Sequence, residues 1–323
     1  MRKFRSRDEA LAFVMDKVPW GNAAGTCKDL TTARKFAEVG VPHVMFGSIT
    51  MKPRAGNPGD NFYWDLRTGD SINALGLPNK GLDGYLKELQ SAKQMVNALG
   101  SKLWVSISAG DAFDPEEYFQ MATRLIDEDA ADGIEGNFSC PNVEVGGKRK
   151  PVVCFDPAAF NEGVSALCQA TLVSGVPVAV KLAPITEGRL LSDLLSACVD
   201  LRVDYIVGGN TMGNCYMEKE DGTPAIAMKR GGGAGRMLRS VIRGMTQLAA
   251  PILKDTGTKF IAVGGIETGK DAYDSLCDGA TGFAFNTVLS RNGNSPQVIE
   301  SIIVGKEGQT GLVDLLVEKG LPH

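Results

Sequence analysis

The densest run of reactive and hydrogen-bonding side chains is Gly136-Asn137-Phe138-Ser139-Cys140-Pro141-Asn142. Two amides, a hydroxyl and a thiol follow Gly133-Ile134-Glu135, which reads as the end of a strand. Pro141 stops any regular ladder there, because it has no backbone donor. Each asparagine amide offers two donors and an acceptor, which suits paired recognition of a flat heterocycle. The Cys140 thiol has three readings. It could be a buried inert side chain, the commonest fate of a free cysteine. It could be a nucleophile, but no histidine lies nearby in sequence to activate it. It could be a base that removes a carbon-bound proton. The flanking asparagines, which would hold a substrate against it, favour the base.

Other strand ends carry related chemistry: Asn22-Ala23-Ala24-Gly25, Gly47-Ser48, Ser106 and Ser108, Lys181, Asn210-Thr211, Gly264-Gly265 and Asn286-Thr287. They hold no carboxylate pair, which counts against glycoside hydrolysis. Lys181 ends the apolar Val178-Ala179-Val180-Lys181-Leu182. It could be a Schiff-base nucleophile or a fixed positive charge beside an anionic intermediate. A plain surface lysine fits poorly with a buried strand. Gly231-Gly232-Gly233-Ala234-Gly235 reads as a loop leading into a helix, and Gly264-Gly265 follows a late strand. Backbone N–H groups in such turns can approach phosphate oxygens closely.

These positions need a scaffold that brings distant strand ends together. Runs beginning at residues 20, 43, 102, 133, 177, 204, 259 and 281 read as eight strands. Most are near-continuous apolar stretches, as expected of parallel strands covered on both faces. Helical patterns cover about 2–17, 28–40, 82–99, 114–131, 156–173, 189–201, 236–253 and 270–277, with 296–304 and a closing helix at the end. Pro115 and Pro157 sit at first helical positions behind Asp114 and Asp156. Repeated β/α units over this length predict an α/β fold, a (β/α)8 barrel, occupying residues 1–323 as one domain. Residues 51–81, rich in Pro, Gly and Asn, form a long insertion after strand 2, too long for an ordinary connection. A doubly wound open sheet is the runner-up, and the lack of a G-x-G-x-x-G turn after the first strand counts against it.

Composition narrows the partners. Net charge is −4, and the densest basic cluster is the three-residue Lys148-Arg149-Lys150, so nucleic acid is not expected as a main partner. The seven cysteines include no C-x-x-C pair, which predicts reduced thiols in the cytoplasm and no iron–sulfur cluster. No leader and no membrane span is expected. The only histidines are His43 and His323, so a histidine-based metal site is not expected, and His43 reads as a partly buried residue entering a strand.

The motifs together resemble the dihydroorotate dehydrogenase family, in its class 1 branch with a cysteine base. They are Ser71-Ile72-Asn73-Ala74-Leu75-Gly76-Leu77-Pro78-Asn79, Asn137-Phe138-Ser139-Cys140-Pro141-Asn142-Val143, Val180-Lys181-Leu182-Ala183-Pro184, Asn210-Thr211-Met212-Gly213-Asn214 and Gly264-Gly265-Ile266-Glu267-Thr268-Gly269. The similarity runs from Asn22 to about Gly293, and dihydropyrimidine dehydrogenase shares parts of it. It implies a TIM barrel with FMN across its mouth and an active-site lid after strand 4. Cys140, on that mobile loop, would take the C5 proton of a dihydropyrimidine while FMN accepts the C6 hydride. Asn73, Asn137, Asn142, Asn210 and Thr211 would hold the ring, and backbone groups of Leu75, Gly76 and Leu77 the carboxylate. Lys181 would sit by the flavin's pyrimidine edge, with Asn73 and Asn137 also against the cofactor. Ala23 and Ala24 would line the flavin, and Ala234, Gly235, Gly264, Gly265, Asn286 and Thr287 its phosphate tail. The resemblance further implies a cytoplasmic homodimer in pyrimidine biosynthesis, without the N-terminal membrane segment of class 2. The electron acceptor would be fumarate, a quinone, oxygen, or NAD through an electron-transfer subunit.

Three departures stand out. The family carries a lysine at the end of strand 2, where this chain has Gly47, which should weaken binding of the orotate carboxylate. The last strand ends Asn286-Thr287 rather than Gly-Thr, which could crowd or re-bond the phosphate. The lid is about two residues longer and carries Lys148, Arg149 and Lys150, read as a solvated charge run that could instead replace the missing lysine. Gly47 keeps open a paralogue acting on another dihydropyrimidine or enone. A flavin-free barrel lyase using Lys181 as its Schiff base stays open too, as does a non-catalytic relative.

Overall fold

Eight short, mostly buried strands close into one parallel barrel in the computed structural model, which describes residues 2–322; Met1 and His323 lie outside it. The strands of the chain are β1 (Trp20–Asn22), β2 (His43–Ile49), β3 (Phe62–Asp65), β4 (Asp70–Asn73), β5 (Lys102–Ile107), β6 (Gly133–Asn137), β7 (Glu144–Val145), β8 (Lys148–Arg149), β9 (Val178–Leu182), β10 (Tyr205–Gly208), β11 (Met212–Tyr216), β12 (Arg230–Gly235), β13 (Lys259–Val263), β14 (Gly282–Phe285), β15 (Gly305–Lys306) and β16 (Gln309–Thr310). Around the barrel the order is β1-β2-β5-β6-β9-β10-β13-β14, returning to β1. Barrel neighbours are therefore also sequence neighbours, the (β/α)8 arrangement that the apolar runs predict. No helix among the described residues is long and apolar enough to cross a membrane.

The helices often start where a polar side chain accepts from free backbone N–H groups. They are α1 (Arg7–Lys17), α2 (Leu30–Glu38), α3 (Gly81–Ala98), α4 (Pro115–Asp127), α5 (Pro157–Thr171), α6 (Gly188–Asp200), α7 (Arg239–Leu253), α8 (Gly269–Cys277), α9 (Thr287–Arg291), α10 (Pro296–Ile303) and α11 (Leu312–Lys319). Asp156 accepts from Ala158 and Ala159 at 3.1 and 3.2 Å, with Pro157 as the first helical residue of α5. Thr268 and Asp271 form a reciprocal capping box at α8. In α3, Leu82, Tyr85, Leu89, Ala92 and Val96 recur at helical spacing and are buried against the barrel. The leading helix begins at Arg7 rather than near Arg2, because Ser6 caps it by accepting from the Glu9 N–H.

Two insertions meet above the barrel mouth. The long segment after β2 folds into the β3–β4 hairpin, and β11–β12 follows β10; together they form one antiparallel sheet in the order β11-β12-β4-β3. The glycine run is thus a strand, not the loop that its composition predicts. Gly232 pairs with Asn73, and a Cβ on Gly232 would stand 2.0 Å from the Thr211 hydroxyl. The sheet needs a residue with no side chain there, and this close approach overrides glycine's poor strand propensity. After Cys140 the lid holds the small β7–β8 hairpin. The α9 turn after β14 is also absent from the sequence pattern.

Barrel closure has a weak seam. β1 has three residues and meets β2 through a single register pair, Gly21 with His43. The buried Asn22 side chain extends the ladder: its Oδ1 accepts from the Met45 N–H at 2.9 Å, and its Nδ2 donates to the Met45 carbonyl at 2.7 Å. His43 enters β2 half-buried and accepts from the Trp104 indole at 2.8 Å; burial lowers its pKa to about 4. Asn22→Leu keeps the branched shape but orphans both Met45 groups. A loss of roughly 2–4 kcal/mol is expected, seen as a lower urea midpoint at unchanged slope; an unchanged midpoint would refute the seam.

Candidate active site

The residues that the family resemblance assigns to substrate and cofactor all line one cleft of about 1200 Å³, its open mouth included, at the C-terminal ends of the barrel strands, whereas Asn22, Gly47, Ser106, Ser108 and Ser139 do not line it. The lining includes Cys140, Lys181, Asn73, Leu75, Gly76 and Leu77, and the amides Asn137, Asn142 and Asn210 with Thr211. Ala23, Ala24, Ala234, Gly235, Gly264, Gly265, Asn286 and Thr287 line it as well. Convergence from seven of the eight barrel strands and two insertions is what barrel topology provides at this end.

Asn137, at the end of β6 and 5% exposed, anchors the polar floor. Its Nδ2 donates to Ser48 Oγ at 2.9 Å, and its Oδ1 accepts from the Ser139 N–H and hydroxyl at 3.1 and 2.8 Å. Asn210 donates to Ser139 Oγ at 2.9 Å. Ser48 and Ser106 hydroxyls share a 2.8 Å bond, and Ser106 donates to the buried Glu135 carboxylate at 2.7 Å. Above this floor Asn142 donates to Asn73 Oδ1 at 3.1 Å. Asn57 holds Asn142 by donating to its carbonyl at 2.8 Å.

Three buried acceptor atoms of the cleft lining have no partner: Glu267 Oε1, whose carboxylate is already neutralised by arginines through Oε2, and the two neutral groups Asn142 Oδ1 and Thr211 Oγ1. Buried polar atoms are normally satisfied, so the two neutral groups point to a bound polar molecule. Lys181 is 3% exposed in β9, and its ammonium makes no hydrogen bond or ion pair among the described residues. Its burial removes the surface-lysine reading. Asn286 is committed locally: its Nδ2 donates to the Ala24 carbonyl at 3.0 Å and so braces the end of β1 against β14. Glu267, also lining the cleft, is held by Arg236 at 3.0 Å and Arg291 at 3.4 Å. Among the described residues no cluster of His, Cys, Asp and Glu could hold a metal ion.

Cys140 is half-buried, and burial pushes its thiol above the usual range. The Asn142 backbone N–H and the cations Lys150, Arg54 and Lys181 pull the other way. Lys150 corrects the reading of a solvated basic run. Its Nζ donates to the Gly110 and Ala112 carbonyls at 3.1 and 3.2 Å, which pins the lid beside the thiol. Arg149 pairs with Glu144 at 3.5 Å and donates to the Arg230 carbonyl; only Lys148 is exposed. The polar lining residues that sequence reasoning missed include Lys28, Ser290 and Glu267. Glu267 lay inside a quoted motif, whereas Lys28 is a single lysine whose inward turn no spacing signals.

A barrel with an amide-lined cleft, a thiol and a buried lysine at its C-terminal mouth belongs to the class of α/β barrels that carry small-molecule sites there. Residues 14–305 match the family profile described as Dihydroorotate dehydrogenase. The chain belongs to the dihydroorotate dehydrogenase family. It is 32% identical over 248 residues to the Dihydroorotate dehydrogenase B (NAD(+)) catalytic subunit of Geobacter sulfurreducens, covering 74% of this chain and 72% of that protein. The protein of the same name from Geotalea uraniireducens is 29% identical over 270 residues, with 83% and 81% covered. Among solved structures, ligand-free DHODH from Eimeria tenella superposes with a TM-score of 0.75 at 21% identity, covering 94% of this chain and 85% of that one.

The raised thiol pKa has a direct readout. Alkylation of Cys140 by iodoacetamide, followed by peptide mass mapping, is expected to rise with pH and to show no plateau below about pH 8.5, the value of a free thiol. Lys150→Met removes a cation that favours the thiolate and should slow alkylation several-fold at fixed pH. A plateau near neutrality, or no effect of K150M, would contradict this electrostatic arrangement.

Proposed function

We propose that this protein is an FMN-dependent oxidoreductase that converts (S)-dihydroorotate to orotate, with Cys140 as the base of a class 1 enzyme. The observation that carries this reading is the convergence of Cys140, Lys181 and four asparagines on one cleft that also contains unpartnered buried acceptors. A dihydropyrimidine offers N–H donors of the kind that Asn142 Oδ1 and Thr211 Oγ1 lack. Asn73, Asn137 and Asn210, already cross-braced, orient the ring without reorganising at the moment of reaction.

The cleft also fits FMN. Ala23 and Ala24 would lie along its ring system, with Asn73, Asn137 and Lys181 at its polar edge. Ala234, Gly235, Gly264, Gly265, Asn286 and Thr287 would surround the phosphate tail. FMN supplies the two-electron acceptor for the hydride that leaves C6. The uncommitted Lys181 ammonium places a positive charge where negative charge accumulates, a role closer to electrostatic stabilisation than to Schiff-base chemistry. The Cys140 thiolate removes the C5 proton, and the loss of proton and hydride leaves the ring double bond of orotate.

The relatives named as NAD(+)-type catalytic subunits support an electron-transfer subunit as the oxidising partner, ahead of fumarate, a quinone or oxygen. Gly47 supports a second reading, oxidation of a different dihydropyrimidine, because the family's strand-2 lysine is missing.

Cys140→Ala tests the assignment. The variant is expected to keep its flavin and bind orotate, while anaerobic flavin reduction by dihydroorotate slows by roughly 10²–10⁴-fold. A reduction rate equal to wild type would overturn Cys140 as the base.

A further inference from the structure

We propose that Lys28 is the anion-recognising and specificity-determining residue of this cleft, meeting the ring carboxylate of the substrate from the loop after β1. The inference rests on the dihydropyrimidine reading above and resolves the absence of a cation at position 47.

Position 47 has no room for a side chain. Gly47 has φ +119°, and a Cβ there would stand 2.5 Å from the Ser106 carbonyl oxygen and 3.2 Å from the Ile49 nitrogen. A lysine could not be added without moving the backbone of β2 or β5. The loop that carries Lys28 is stitched onto this same residue. Gly25 N–H donates to the Gly47 carbonyl at 2.7 Å, and Gly47 N–H donates to the Cys27 carbonyl at 3.0 Å. Lys28, the next residue, therefore departs from a point directly against the end of β2, where the family's lysine would start.

Its ammonium reaches the substrate loop. Lys28 Nζ donates to the Pro78 carbonyl at 2.8 Å, and Lys28, Leu75, Gly76, Leu77 and Pro78 all line the cleft. An ammonium has three donors, so one bond to Pro78 leaves two for a ligand. No carboxylate among the described residues pairs with it. Burial pushes its pKa below the ordinary lysine value, and the thiol of Cys140 pulls it back up, which places the two groups within electrostatic reach. A bound carboxylate would do the same more strongly and repay part of the desolvation.

The other cations around the cleft are either committed to other partners or stand on its far side. Arg54 pairs with Asp111 and donates to the Gly76 carbonyl at 3.2 Å. Lys150 is spread over carbonyls of residues 109–112. Lys181 stands on β9, four strands from β1 and so across the barrel from this loop. Lys28 is left as the cation beside the loop that the family uses for the carboxylate.

The test is isothermal titration of the flavin-loaded protein with orotate and with its neutral carboxamide, for wild type, Lys28→Met and Lys28→Arg. Lys28→Met is expected to weaken orotate by roughly 10- to 100-fold and the carboxamide by less than about twofold, with Lys28→Arg restoring most of the orotate affinity. If wild type binds orotate and Lys28→Met binds it equally well, the inference falls while the functional reading stands. If Lys28→Met loses both ligands alike, Lys28 merely braces the loop through Pro78 and the inference also falls. If wild type neither binds orotate nor is reduced by dihydroorotate, the functional reading falls and takes the inference with it.

Discussion

The barrel mouth depends on the buried side chain of Asn137. One amide ties the end of β6 to Ser48 on β2, to Ser139 two residues on, and through Ser139 to Asn210 beyond β10. Ser48, Ser106 and Glu135 extend the same chain across β5. In a low-dielectric interior such a chain strengthens when complete and is costly when broken. The Tyr118 hydroxyl, donating to the Asn137 carbonyl at 3.1 Å, fixes the backbone as well as the side chain. Cys140 leaves this anchored point only three residues later, so the position of the thiol is inherited from the network rather than from the lid.

The cover over that floor is built from segments far apart in sequence. β4 brings Asn73 from the insertion after β2, and β12 brings Ala234 and Gly235 from the insertion after β10. Their pairing requires the bare backbone of Gly231 against the Asn73 carbonyl, and Gly232 must likewise be bare against Thr211. The electrostatics follow from the same geometry. The cleft encloses a thiol whose burial disfavours the anion, and it answers with cations from three separate segments. That balance suits a base that must be unprotonated to act yet not so stabilised that it loses proton affinity.

Much of this was legible in the sequence. The barrel strands announced themselves as buried apolar runs, and Asp114-Pro115 and Asp156-Pro157 marked helix starts by capping chemistry that is entirely local. The polar strand ends gave the cleft because barrel topology makes sequence-distant ends adjacent. What remained hidden depends on tertiary contacts. Residues 231–235 looked like a loop because nothing local shows that their neighbours leave no space for side chains. Lys150 looked solvated because its acceptors are carbonyls about 40 residues away. Lys28 could not be told from any exposed lysine until the contacts between its loop and Gly47 were known.

The central claim is that this cleft holds a flavin and passes it electrons from a dihydropyrimidine. The most direct measurement is the visible spectrum of the purified protein, before and after anaerobic addition of dihydroorotate. Flavin bands that bleach on addition are the expected result. A protein with no flavin bands, or one whose bands persist unchanged with dihydroorotate, would contradict it.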